Sequence, residues 1–229
     1  MIRFAPVSLR TVVRCLDAGT PLAFSRWGDG EWRCVLGYAG ENCDGHPYSG
    51  ALRADLSRVL CAHPTYWLGM QPFAVRSLAP AIIAWLARRN LQLTWIDADV
   101  FHQASIANAL QPLIQALCKR PVLIVGPPYL QSLPVLPHAT LVPIPEQNCY
   151  AHYADVLGRV CETLAHAPAP TCVVVSAGPM ANVLIHDLHA QFPQHTLLDC
   201  GSLWEPYAGR VTRKYHDKVR QALGVTPCA

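Results

Sequence analysis

Thr171-Cys172-Val173-Val174-Val175-Ser176-Ala177-Gly178-Pro179 is the stretch that decides the fold. Its apolar residues run without the polar alternation of a strand that faces water on one side, and three of them are β-branched. Such a run is buried on both faces, as in a parallel sheet covered by helices. Ala177-Gly178-Pro179 then turns the chain, and Leu184, Ile185 and Leu188 follow at helical spacing. Pro121–Val125 repeats the pattern as a continuous apolar strand that stops at Gly126-Pro127-Pro128.

Working outward, strands are predicted at Pro21–Ser25, Thr65–Met70, Leu91–Ile96, Leu141–Ile144 and His195–Asp199. Helices are predicted at Ser8–Asp17, 51–61, Ser77–Arg88, 103–117, 150–164 and 210–223. Residues 38–50, rich in Gly, Asn, Asp and Pro, read as a loop. The alternation defines an α/β fold. The expectation is a Rossmann-like, open, mostly parallel sheet flanked by helices, in a single domain over 1–229 with a basic C-terminal arm over about 207–229. Ligands of such sheets gather at the carboxyl ends of strands, which selects residues 26–31, 176–182 and 199–206.

Composition narrows the function classes. Apolar residues make up 52% and charged residues 14%, which excludes intrinsic disorder. A net charge of +3 is too mild to mark a nucleic-acid binder. No run of 18 apolar residues occurs, and the greasiest region, Pro121–Pro145, is interrupted by seven prolines, so no membrane span is expected. The N-terminus carries Arg3, Arg10 and Arg14 without a continuous apolar core, so no signal peptide is expected either. The ten cysteines form no C-x-x-C pair and mostly sit in apolar segments, which predicts reduced thiols and a cytoplasmic protein.

Three segments bear chemistry. Arg26-Trp27-Gly28-Asp29-Gly30-Glu31 sets two carboxylates two residues apart between glycines. In an extended or turn conformation both point the same way and can share one hard cation, Mn²⁺ or Mg²⁺, that substrate phosphates complete. A surface turn whose Glu31 caps the next helix would leave the same pattern. Ser176-Ala177-Gly178-Pro179 precedes a helix N-terminus, whose N–H groups suit phosphate, or is a plain strand-to-helix turn. It matches neither a P-loop nor G-x-G-x-x-G. Asp199-Cys200-Gly201-Ser202-Leu203-Trp204-Glu205-Pro206 offers two carboxylates as general bases, and Trp204 beside Glu205 favours Glu205 through desolvation. His186 and His189, at i and i+3, are candidate metal ligands, with plain surface histidines as the alternative. Arg210, Arg213, Lys214, Lys218 and Arg220 make the arm basic, as a solvated face or as a diphosphate clamp.

In this order the segments resemble a known family. R-[FWY]-G-D-G-E is similar to Arg26–Glu31, and G-P-x-A-x-x-L to Gly178-Pro-Met-Ala-Asn-Val-Leu184. D-[IVC]-G-[HS] is similar to Asp199-Cys-Gly-Ser202, and P-x-x-N-A-[FY] to Pro145-Glu-Gln-Asn148-Cys-Tyr150, with Cys149 in place of Ala. Over about residues 20 to 216 the chain looks like a glycosyltransferase of the GT-D fold, long filed as a domain of unknown function.

The resemblance implies a metal-dependent transferase that uses a nucleotide sugar, typically a UDP-sugar. Asp29 and Glu31 map onto its D-x-E metal pair. Arg26, Gly28, Gly30, Asn148, Ser176, Gly178 and Pro179 map onto the donor cleft, and Arg213 or Lys214 onto the group that offsets leaving-group charge. Glu205 or Asp199 would be the base for an acceptor hydroxyl on a carbohydrate, a glycoprotein or a modified DNA base. Leu203–Pro206 departs from the most familiar members. A nucleic-acid-acting enzyme of the same fold and a non-catalytic nucleotide-binding module are the rival classes.

Overall fold

The computed structural model describes residues 2–42 and 45–224. A short edge strand β1 (Arg3–Phe4) precedes α1 (Leu9–Asp17), whose first turn is capped by Ser8 Oγ accepting from Thr11 N–H. β2 (Ala23–Trp27) runs into α2 (Asp29–Leu36), and α3 (Gly50–Cys61) follows a loop. Next come β3 (Trp67–Met70), α4 (Ala79–Arg88), β4 (Thr94–Asp97), α5 (Val100–Ile106) and α6 (Gln111–Cys118). The second half holds β5 (Val122–Gly126), β6 (Thr140–Pro143), α7 (Tyr153–His166), β7 (Cys172–Val175), α8 (Met180–Gln191), β8 (Thr196–Asp199) and α9 (Lys214–Ala222).

The eight strands form one sheet in the order β1-β4-β3-β2-β8-β7-β5-β6, with every described pairing parallel. The open α/β expectation therefore holds. Both faces are covered, and strand periodicity divides the core. Val173 and Val175 of β7 join Leu123 and Val125 of β5 in one layer with Trp32, Leu56 and Leu184. Cys172, Val174, Val122 and Ile124 point the other way, into a layer with Val12, Leu113 and Trp204.

Several boundaries differ from expectation: β2 runs two residues further, to Trp27, and α7 and α9 start only at Tyr153 and Lys214. The helix predicted over 103–117 is two helices, because Asn108 turns left-handed at φ 53° and Pro112 suits only the first turn of a new helix. The strand predicted from Leu91 begins at Thr94. β1 was not expected, since two residues carry no periodicity; β4 supplies its pairing.

β2 and β8 are neighbours from opposite halves of the chain. From β2 the sheet grows outward through β3 and β4, while β5 and β6 lie beyond β7 on the other side. That reversal is a topological switch point, where the loops leaving adjacent strands diverge and open a crevice. Trp32 of α2 lies 5.9 Å from both Trp27 and Trp95, which fixes the helix start above the crevice. Among the described residues no helix is long and apolar enough to cross a membrane.

Candidate active site

A cavity of about 1000 Å³ opens at the carboxyl ends of β2, β3, β4, β7 and β8, with α9 and the loop after α2 as further walls. Its floor is the β2–α2 junction. Gly28 N–H donates to Glu31 Oε2 at 2.7 Å, so Glu31 caps α2. A Cβ at Gly28 would lie 2.3 Å from Gln71 Oε1, so a side chain there would have to displace Gln71. Asp29 is the first residue of the helix and lies 3.8 Å from Arg33 Nε.

The pair therefore sits on a helical first turn. This corrects the expected extended turn, because residues i and i+2 of a helix do not point the same way. Both still line the cavity. Burial pushes the Glu31 carboxyl up to about 7. Among the described residues no group of three His, Cys, Asp or Glu side chains converges on a cation position. A hard cation that takes its remaining ligands from a diphosphate and water needs only one or two carboxylates, and the oxygen-only chemistry of Asp29 and Glu31 fits it.

Arg26 is the buried anchor of the site. Its backbone N–H donates to Asp199 Oδ2 at 2.9 Å, its Nε to the Ala98 carbonyl at 3.0 Å, and its Nη2 to His102 Nδ1 at 3.0 Å. The guanidinium lies over Gly201, where a Cβ would stand 2.2 Å from Nη1. Burial and the Arg26 charge hold His102 down to about 4, so its ring is neutral and accepts at Nδ1. Asp99 accepts from Gln71 Nε2 at 2.9 Å. Although burial opposes ionisation, the hydrogen bond from Gln71 and the nearby Arg26 charge hold Asp99 below the usual carboxylate range. Sequence inspection missed Gln71, Asp99 and His102. Their signal was their place one to six residues beyond a predicted strand end.

Asp199 is engaged at both oxygens, accepting from Arg26 N–H and, at 3.0 Å, from Gly201 N–H. Burial raises it to about 6. It braces β2 against the turn after β8, which is the structural alternative to a base. Gly178, at φ 52°, also lines the cavity, and a Cβ there would meet the His46 ring at 3.1 Å. α9 and its N-cap contribute Arg213, Tyr215 and Lys218 to the wall. Tyr215 is fastened by its hydroxyl to Ser202 Oγ at 2.9 Å and by its ring to His102 at 4.8 Å.

Arg26, Gly28, Asp29, Gly30, Glu31, Gly178, Asp199 and Arg213 are thus brought to one cavity. Asn148, Ser176, Pro179, Lys214 and Glu205 are not on its wall. Asn148 is exposed at a left-handed position before a short 3-10 turn. Pro179 is buried and serves as the N-cap of α8. Lys214 points to solvent, and Lys218, one helical turn on, takes the cavity position instead. The Glu205 carboxylate is buried and accepts from the Thr212 hydroxyl and from Tyr129 Oη at 3.3 Å, which ties the arm down. Trp204 is fully buried in the core, so it stacks on no sugar. His186 and His189 flank the Tyr66 ring rather than a metal position.

Three solved structures share this fold. One, described as "a new glycosyltransferase (DUF1792) from Streptococcus sanguinis", superposes with a TM-score of 0.69 at 16% identity, over 90% of this chain and 84% of that one. A selenomethionine structure of domain of unknown function 1792 gives 0.64 at 17% identity, over 90% and 80%. A third, whose description states that this domain "has a distinct glycosyltransferase fold", gives 0.63 at 16%, again over 90% and 80%. No family model and no curated protein matches the chain. The fold is therefore that of these structures.

Proposed function

We propose that the protein is a glycosyltransferase that moves a sugar from a nucleotide sugar, first of all a UDP-sugar, to an acceptor hydroxyl. The observation that carries this is the switch-point cavity, where two carboxylates of one helix N-terminus share a wall with Arg213, Lys218 and two left-handed glycines. The fold shared with structures described as glycosyltransferases supports it.

Asp29 and Glu31 would hold Mn²⁺ or Mg²⁺, which when bound supplies Lewis acidity toward the departing diphosphate. The α2 N-terminus adds its partial positive charge. Gly178 lets backbone approach the donor closely, and Arg213 and Lys218 offset the charge that grows on the leaving diphosphate. Arg26 acts indirectly, by fixing the ends of β2, β4 and β8 relative to one another. Asp99, ionised and on the cavity wall, is the carboxylate we assign to the acceptor hydroxyl, since Glu205 faces away from the cavity. We infer a reducing, cytoplasmic setting from the ten cysteines, which form no C-x-x-C pair and mostly sit in apolar segments.

The test is release of UDP from a panel of UDP-sugars with Mn²⁺ and with EDTA. Release from at least one donor, ended by chelation, is expected. Retention of full activity in EDTA removes the metal, and no release from any donor removes the transferase.

A further inference from the structure

The cavity wall has two chemical halves. The half built from α2, α9 and the Gly178 turn carries the carboxylates and cations that suit a diphosphate. The half built from the segment after β3 and from α5 presents Phe73, Ala74, Gln103 and Ile106, which bear no charge. Phe73 is 84% exposed, the highest among the exposed large apolar side chains of the described residues. Burial of an aromatic ring is a large stabilising term, so a ring held in water beside a cavity is informative where a scattered surface leucine is not.

The ring is held there by its backbone. Gln71 N–H donates to the Trp27 carbonyl at 3.0 Å, and Val75 N–H to the Gln71 carbonyl at 3.1 Å. Val75 is buried, and the Gln71 side chain is tied to Asp99. Residues 71–75 are thus a turn fastened at both ends, with Phe73 on its outer side. Two polar groups stand on the same half. Gln103 Nε2 reaches Asp97 Oδ2 at 3.3 Å, and Asp99 is ionised.

We propose that this half is the acceptor subsite and that Phe73 is its platform, taking a neutral pyranoside whose apolar C–H face lies on the ring. The proposal rests on the transferase reading above. Charge decides the occupant. A nucleic-acid acceptor needs exposed cations along its path to neutralise phosphates, and the lining cation that reaches this half, Arg26, is nine-tenths buried and engaged by the Ala98 carbonyl and His102. A pyranoside presents one face of C–H groups to an aromatic ring and a rim of hydroxyls to Gln103 and Asp99, which is the pairing of surfaces found here.

The experiment is saturation-transfer NMR with the methyl glycosides of glucose, galactose and N-acetylglucosamine, in the presence of UDP and diamagnetic Mg²⁺, on the wild type, Phe73→Ala and Phe73→Trp. Phe73 is exposed, so neither change threatens the fold. At least one glycoside should receive saturation on its ring C–H protons. Phe73→Ala should weaken its binding about tenfold, the factor of one lost aromatic contact, and Phe73→Trp should restore it. UDP binding, followed by its own resonances, should be the same in all three. Absence of any glycoside signal, or equal signals in wild type and Phe73→Ala, overturns the subsite even if UDP binds. Failure of UDP to bind while glycoside binding still depends on Phe73 instead overturns the donor assignment and leaves the platform standing.

Discussion

Gly201→Ala tests the geometry around Arg26. Two costs add at this position. Gly201 has φ 51°, a conformation that costs an L-residue about 1–2 kcal/mol. The new Cβ would also stand 2.2 Å from Arg26 Nη1. That guanidinium is no loose end, since Nε is held by the Ala98 carbonyl and Nη2 by His102. Displacing it forfeits hydrogen bonds from a charged group, roughly 1.5–3 kcal/mol. The sum is about 2.5–5 kcal/mol, which for a chain of this size lowers Tm by roughly 5–20 °C. Gly209→Ala is the control: φ is 80°, but nothing lies within 4 Å of the added methyl, so only the backbone term of about 1–2 kcal/mol applies. Urea and thermal unfolding followed by circular dichroism measure both. Equal losses in the two variants would refute the claim that Gly201 is the gap through which Arg26 reaches across the strand ends.

Asp199 gives a pH test. Its folded value, raised by burial to about 6, lies above its unfolded one, so its contribution to stability is full below about pH 4 and is lost as the pH rises through about 6. Wild-type stability should carry that decline and Asp199→Asn should lessen it, leaving the part that Glu31, raised to about 7, contributes over the same range; an unchanged slope in urea melts at pH 4, 5, 6 and 7 contradicts the assignment. Arg58 forks onto Asp187 at 2.9 and 3.1 Å and Tyr153 donates to the same carboxylate, joining α3, α7 and α8, so Asp187→Ala should cost about 2–3 kcal/mol by chemical denaturation, and under about 0.5 kcal/mol would show the staple to be idle. Glu31→Ala should lose the α2 cap, about 1 kcal/mol, whereas Glu31→Gln should keep it, and equal stabilities would refute the capping role. In steady-state kinetics Asp99→Asn should lower turnover about 10²-fold or more with donor KM unchanged, and near wild-type turnover would remove Asp99 as the base.

The fold was legible wherever burial on both faces wrote itself into the chain. Val122–Gly126 and Cys172–Val175 announce central parallel strands because helices cover both sides of them. The motif residues at the ends of β2, β7 and β8 were legible too: at Gly28 and Gly201 an oxygen and a guanidinium stand where a Cβ would go, and at Gly178 a left-handed φ of 52° combines with a His46 ring only 3.1 Å from it. What stayed hidden depends on pairing across the sheet. Asp99 and His102 matter because β4 lies beside β3, and Arg26 reaches them over a sequence distance that no local pattern records. Glu205 read as a base because a loop carboxylate beside Trp and Pro looks desolvated. It is desolvated, but against Thr212 and Tyr129 rather than toward a ligand. The choice between Lys214 and Lys218 turned on helix phase, which a basic run does not reveal.

The central claim is that the switch-point cavity binds a nucleotide diphosphate through Asp29, Glu31, Arg213 and Lys218. Isothermal titration of UDP into the wild type, Asp29→Asn and Lys218→Glu, each with Mn²⁺ and with EDTA, tests it most directly. Asp29 and Lys218 are exposed, so their replacement should leave the fold intact. Binding should require the ion in the wild type, be lost in Asp29→Asn, and weaken at least about tenfold in Lys218→Glu, a change worth about 1.4 kcal/mol. UDP that binds all three proteins alike, or binds none of them, would contradict the account.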